Sequence, residues 1–253
     1  MYFDSHSHMD SACFDAERDI LIRSFAERQV EGFINIGCDY DSSVRSIALA
    51  EAYPNVWAAV GSHPDDAERV DADLIEKYRR LAAHEKVVAI GEIGLDYHYE
   101  DPSRDFQKPA FEAQLQLARE LNLPIIVHER EAHGDAMEII DRYPDVTGVF
   151  HCYSGSLEMA KELVKRGWYI GFTGVVTFKN ARKAVEVVKW LPLDRILIET
   201  DCPYMAPEPF RGRRNDTGFV PLVGKAIAAH RGEPEELVME ATTANAQRLF
   251  RIP

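Results

Sequence analysis

His6 and His8 stand two residues apart at the end of the first apolar-led segment, Met1-Tyr2-Phe3-Asp4-Ser5-His6-Ser7-His8-Met9-Asp10. Alternate residues of an extended strand face the same way, so the two imidazoles share a side, with Asp10 close behind. That is half of a metal site. The pattern recurs, because His63, Glu92, His128, His151 and Asp201 each come just after or at the end of an apolar, strand-like run. Imidazole and carboxylate donors without thiolate suit Zn²⁺ or Mn²⁺ better than a pure Mg²⁺ cage, though Mg²⁺ stays in play. Structural zinc takes a closed shell of four ligands, often cysteines near one another in sequence, whereas donors scattered along the chain look catalytic. His6, His8, Glu92, His128, His151 and Asp201 are enough for two divalent ions sharing Glu92. Ions about 3.5–4 Å apart clamp both the attacking and the leaving oxygen of a displacement, which is hydrolytic chemistry.

Elements must bring these residues together. Strand-like runs cover Tyr2–His6, Gly32–Gly37, Val56–Gly61, Val87–Gly91, Pro124–His128, Thr147–His151, Trp168–Phe172 and Arg195–Glu199. Between them lie amphipathic stretches such as Ser103–Leu121, with Phe106, Ala110, Ala113 and Leu117 at helical steps, and Leu157–Arg166. A helix near Val220–His230 and a final pair of helical stretches up to Phe250 close the chain. Strands alternating with helices predict right-handed βαβ units and a parallel sheet. The count matches an α/β fold of the single (β/α)₈ TIM-barrel type over residues 1–253, with a doubly wound open sheet as runner-up. Barrel enzymes keep their chemistry at the C-terminal ends of the strands, where every candidate ligand falls.

Bulk properties narrow the classes. The 253 residues are 46% hydrophobic and 28% charged, with no apolar run long enough to span a bilayer. The first strand carries ligands, which does not fit a signal peptide. Cys13, Cys38, Cys152 and Cys202 lack metal or disulfide spacing and read as reduced thiols of a cytoplasmic protein, expected to be a monomer without membrane attachment. The net charge of −13 advertises no basic face. Any grip on nucleic acid must then be local, through bound cations and a few arginines. Of the nine histidines, His84, His98, His133 and His230 lie in helical or loop contexts and read as solvated or capping residues.

Six ordered motifs carry a resemblance. They are Asp4-Ser5-His6-Ser7-His8-Met9-Asp10, Gly61-Ser62-His63-Pro64, Gly91-Glu92-Ile93-Gly94-Leu95-Asp96-Tyr97, Val127-His128-Glu129-Arg130, His151-Cys152-Tyr153-Ser154-Gly155 and Glu199-Thr200-Asp201-Cys202-Pro203-Tyr204. Over essentially its whole length the chain resembles the TatD family of metal-dependent deoxyribonucleases, within the amidohydrolase-like barrel group. The resemblance implies that His6 and His8 bind one ion with Glu92, which bridges to a second ion on His128 and His151. It implies that Asp201 binds metal and orients or deprotonates the attacking water, and that His63 stands near the substrate phosphate. A carboxylate beside cations stays ionised and can accept that water's proton, which gives Asp201 its role on chemical grounds too. Glu199 and Asp96 are expected to support ligands from behind.

Substrate contacts are expected from Arg130, Tyr153 and Arg211, with Tyr97 as a further base-stacking candidate. Arg211-Gly212-Arg213-Arg214-Asn215 resembles the family's Arg-Gly-x-Arg-Asn stretch, and guanidinium forks suit phosphate oxygens. Asp216-Thr217 stands where the family has Glu-Pro, which leaves the loop's shape open. The expected activity is a phosphodiester hydrolase of the 3′–5′ exonuclease type that prefers single-stranded DNA ends. An ester or amide hydrolase, such as one removing a misplaced aminoacyl group from tRNA, would use the same ligands. A metal-stabilised binding module is the non-enzymatic alternative, and a full ligand set argues against it.

Overall fold

The computed structural model describes residues 1–253. Eight strands alternate with helices: β1 (Tyr2–Ser7), α1 (Arg18–Ser24), β2 (Val30–Ile36), α2 (Tyr40–Ala52), β3 (Val56–Val60), α3 (Ala72–Leu81), β4 (Val87–Asp96) and α4 (Arg104–Leu121). They continue with β5 (Ile125–Arg130), α5 (His133–Asp141), β6 (Gly148–Phe150), α6 (Leu157–Lys165), β7 (Tyr169–Phe172), α7 (Arg182–Trp190), β8 (Ile196–Ile198), α8 (Val220–Arg231) and α9 (Glu235–Phe250). The strands lie in the sheet in sequence order. β8 also returns to β1, where the Asp201 amide donates to the His6 carbonyl at 2.9 Å. This is the TIM-barrel architecture.

By its contacts the chain divides into two compact units. One comprises Met1–Asn35, Cys152–Lys165 and Tyr169–Pro253. In it β1 pairs with β2 and β7 with β8, both parallel. Its core holds Phe25 edge-on to Phe33 at 6.0 Å, with Tyr2 and Phe14 fully covered. The other comprises Ile36–His151 and Arg166–Trp168. There β3, β4, β5 and β6 pair in succession, all parallel. Phe150 packs edge-on to Trp168 at 5.3 Å, and Tyr78 and Phe111 are buried.

Strands covered on both faces read as continuous apolar runs, which is why they were legible. All ten residues of β4 are buried. β4 runs on through Glu92 to Asp96, five residues past the expected end at Gly91, so Glu92 lies within the strand. The two helical stretches expected before Phe250 are one continuous helix, α9, because no breaker interrupts Glu235–Phe250.

The buried stripe of α4 includes Ala110 and Leu117, as its apolar period predicts, but not Phe106. Phe106 is exposed, whereas Gln107 and Gln114 are buried beside Ala110, Phe111, Leu117 and Ala118. Both amides act as struts. Gln107 accepts from the Asp96 amide at 2.8 Å and donates to the Asp96 carbonyl at 2.7 Å. Gln114 likewise accepts from the Ser62 amide at 2.7 Å and donates to its carbonyl at 3.0 Å. One helix therefore fixes the backbone at the ends of β3 and β4. A buried amide that satisfies otherwise orphaned backbone groups is favourable, but it breaks an apolar period.

Gly94 pairs with His128 across β4 and β5 at a φ of +145°, where a side chain would place Cβ 2.0 Å from the His128 carbonyl oxygen. Only glycine permits this approach. Gly94→Ala is expected to destabilise the fold by about 2 kcal/mol or more. An unchanged urea midpoint in the variant would show that the close approach is dispensable.

Candidate metal centre

In the first unit, β1 delivers His6, and His8 follows one residue past the strand's end. Their Nε2 atoms lie 3.1 Å apart, and Asp201 Oδ1 stands 3.7 Å from the first and 3.5 Å from the second. Asp201 follows β8 with a φ of +52°, an uncommon conformation for a side-chain-bearing residue and one that concentrates at functional sites. Its neighbours over-determine it. Thr200 donates through its amide to Asp4 Oδ1 at 2.9 Å and through its hydroxyl to Asp4 Oδ2 at 2.6 Å. Asn215 donates to the carbonyls of Thr200 at 2.8 Å and Tyr204 at 2.6 Å. Glu199, wholly buried, accepts from the Cys152 amide at 2.5 Å and stands 3.4 Å from the Ser5 hydroxyl.

Asp4 is a component that sequence reasoning passed over. Burial pushes its carboxyl up to about 7 against the hydrogen bonds from Thr200. Its only sequence signal is its place two residues before His6 and so on the same strand face, within the polar run Asp4-Ser5-His6-Ser7-His8.

In the second unit, Glu92 is the focus. Its Oε1 lies 2.6 Å from His151 Nε2, 2.8 Å from His128 Nδ1 and 3.8 Å from His63 Nε2. The ligand atoms of His63, Glu92 and His128 all fall within 4.8 Å of one another. His63 is aimed by the Asp65 amide, which donates to its Nδ1 at 3.1 Å. The far side of His128 meets Asp96, with Nε2 to Oδ2 at 2.9 Å. Burial opposes a charged His128, but its bonds to Asp96 and Glu92 prevail and hold its pKa at about 9. Asp96 stays below the usual carboxylate range: burial works against this, and the bonds from His128 and the His98 amide outweigh it. Cys38, which has no motif signature, brings its Sγ to 3.8 Å from Glu92 Oε2.

Both clusters fit divalent cations. Four donors about 2.0–2.1 Å from one ion in a tetrahedron lie about 3.3 Å apart, the range that these nitrogen and oxygen atoms already span. One carboxylate oxygen gathered by several imidazoles, and two facing Nε2 atoms, are arrangements that protons alone satisfy poorly. Asp96 on the outer nitrogen of His128 is an arrangement by which a carboxylate orients an imidazole and raises its basicity.

The profile of the TatD related DNase family matches residues 3–251. The chain belongs to that family. Among curated relatives, the Bacillus subtilis uncharacterized metal-dependent hydrolase YabD is 43% identical over 254 residues, covering 100% of both chains. The Citrobacter rodentium 3′-5′ ssDNA/RNA exonuclease TatD is 35% identical over 257 residues, covering 99% of this chain and 98% of its own. Among solved structures, the TatD homologue YjjV of Escherichia coli K12 superposes with a TM-score of 0.94 at 32% identity, covering 100% of this chain and 98% of that one. The protein is therefore a metal-dependent hydrolase of the TatD family.

The expected substrate residues have varied surroundings in this TatD-family chain. Arg130 is half-buried at the end of β5. Arg211 is exposed, with its guanidinium 4.2 Å from the Phe178 ring centre. Tyr153 is 7% exposed and donates its hydroxyl to the Ser156 carbonyl at 2.7 Å, which leaves little ring to offer a ligand. Tyr97 donates to Asp135 at 2.7 Å and lies under Arg104. In the Arg211–Asn215 loop, Arg214 is tied to Glu17 at 2.5 Å and Asn215 is an internal strut. Asp216 pairs with Arg28 at 2.7 Å and caps the next turn through the Gly218 amide, so the departure from Glu-Pro leaves a well-braced loop.

Asp96→Asn is expected to weaken divalent-cation affinity about 10–100-fold while leaving the far-ultraviolet spectrum unchanged. Competition with a chromogenic chelator reads it, and unaltered affinity would remove Asp96 from the centre. Because His128 is raised from its ordinary 6.5 to about 9, its charge favours the cation-free fold below pH 6.5. That contribution is lost as pH climbs through about 9. Urea denaturation in chelator should show stability falling across this window, while cation affinity rises as the same proton leaves. A His128→Gln variant with the same pH profile would refute the assignment.

Proposed function

We propose that this hydrolase cuts phosphodiester bonds in single-stranded DNA, trimming from a 3′ end, and that the whole chain acts as one catalytic domain. The observation that carries the reading is the convergence of three imidazoles on one buried Glu92 oxygen, alongside a histidine pair facing Asp201. We infer that both clusters serve one two-ion centre, with His6, His8, Glu92, His128, His151 and Asp201 as ligands and Glu92 shared. Zn²⁺, Mn²⁺ and Mg²⁺ are the candidate ions. Bound there, divalent cations supply Lewis acidity toward the phosphate and lower the pKa of a water.

The chain's own groups do the rest. Asp201, held by Thr200 and Asn215, takes the proton of the attacking water. His63 offsets charge on the phosphate oxygens or returns a proton to the leaving oxygen. Arg130 and Arg211 supply the local positive charge that a chain of net charge −13 otherwise lacks, and Tyr153 walls the site. An acidic chain holds a duplex weakly, which favours a frayed or single-stranded end. The exonuclease name of the Citrobacter relative points the same way.

We propose a cytoplasmic monomer as the setting, because the spacing of the four cysteines fits reduced thiols. No helix is long and apolar enough to cross a membrane.

The test is cleavage of end-labelled single- and double-stranded DNA with Mg²⁺, Mn²⁺ or Zn²⁺. Single strands should shorten from the 3′ end, and chelator should stop the reaction. Glu92→Ala should lose at least about a hundredfold in rate. A Glu92→Ala enzyme as fast as the parent, or cutting confined to duplex, would overturn the reading.

A further inference from the structure

Beyond the metal clusters, the segment after β4 opens a separate cleft of about 390 Å³ in the second unit, lined by Tyr97, Tyr99, Glu100, Pro102, Arg104 and Asp105 among others. Its base is rigid. Gln107 donates to the carbonyls of both Asp96 and Pro102 at 2.7 Å, and the Tyr97 amide donates to the Arg130 carbonyl at 2.9 Å. The Arg104 guanidinium lies over the Tyr97 ring, 4.0 Å from its centre. Tyr99 is 61% exposed, with the edge of His98 at 4.8 Å and the Arg130 guanidinium 5.6 Å from its ring centre. His98 is itself held by Glu131 at 2.9 Å.

We propose that this cleft is a base-stacking subsite, in which Tyr99 and the Arg104–Tyr97 pair receive the nucleobase beside the bond to be cut. The inference rests on the single-strand reading above and adds the residues that would hold the strand. Charge decides between base and phosphate as occupant. Glu100 and Asp105 offset Arg104, so a phosphate gains little there, whereas an exposed ring and a flat guanidinium suit any base's π-face. Continuity decides the neighbour. The cleft begins one residue after Asp96, which holds His128, and Arg130 lies two residues beyond His128. A strand with its phosphate at the metal ligands would turn an adjacent base toward Tyr99. Stacking of this kind tolerates any sequence, as an end-trimming enzyme requires.

Steady-state kinetics on single-stranded DNA test the subsite. Tyr99→Ala should raise KM about tenfold with kcat little changed, and Tyr99→Phe, which keeps the ring, should match the parent. A strand carrying an abasic residue beside the cut should raise the parent's KM by a similar factor and erase its advantage over Tyr99→Ala. Equal KM for parent and Tyr99→Ala on intact strands overturns the subsite alone, as does a difference that persists on the abasic strand. A parent enzyme that cuts no strand overturns the nuclease reading and the subsite together.

Discussion

A carboxylate that is only 4% exposed, in the middle of an apolar strand, is the constraint around which the second unit is arranged. Burying an anion is costly unless charge or hydrogen bonds meet it, so Glu92 demands company. It has His151, His128 and His63 around a single oxygen. Such crowding relieves the buried charge only in part, and a cation relieves it better. The need for partners that makes this spot unfavourable for a plain fold makes it favourable for metal chemistry.

The same logic runs outward in layers. His128 is oriented by Asp96, Asp96 by the His98 amide, and the backbone of Asp96 by Gln107 on α4. In the first unit Asp201 is braced by Thr200 on Asp4 and by Asn215. Asp96, the His98 amide, Gln107, Thr200 and Asn215 each meet a polar group one step nearer the site, which holds those groups in place. Ligand geometry requires side chains held to about half an ångström, which His6, Glu92 and His128 draw from their strands and Asp201 from the braces around it.

Surface arginines follow a different rule. Arg214 and Arg28, both attractive as phosphate contacts by type, are engaged with Glu17 and Asp216 and shape the loop that holds Asn215. Charge counted along a sequence does not say which guanidinium is already spoken for. The aromatics divide likewise: Tyr153 is taken up by a hydrogen bond and packing and Tyr97 backs the Arg104 guanidinium, while Tyr99 keeps an open face.

The strand pattern and the order of the βα units were legible in the residues alone, and the histidines and acids at the strand ends stood out by type and spacing. Burial on both faces writes continuous apolar runs, and ligand chemistry needs particular side chains that few other demands select. What stayed hidden depended on contacts between residues distant in sequence. Asp4 reads as one more polar residue until Thr200 closes on it, and the glutamines of α4 read as solvent-facing until they meet Asp96 and Ser62. Their worth lies in which backbone groups they satisfy, and only the folded chain decides which groups those are.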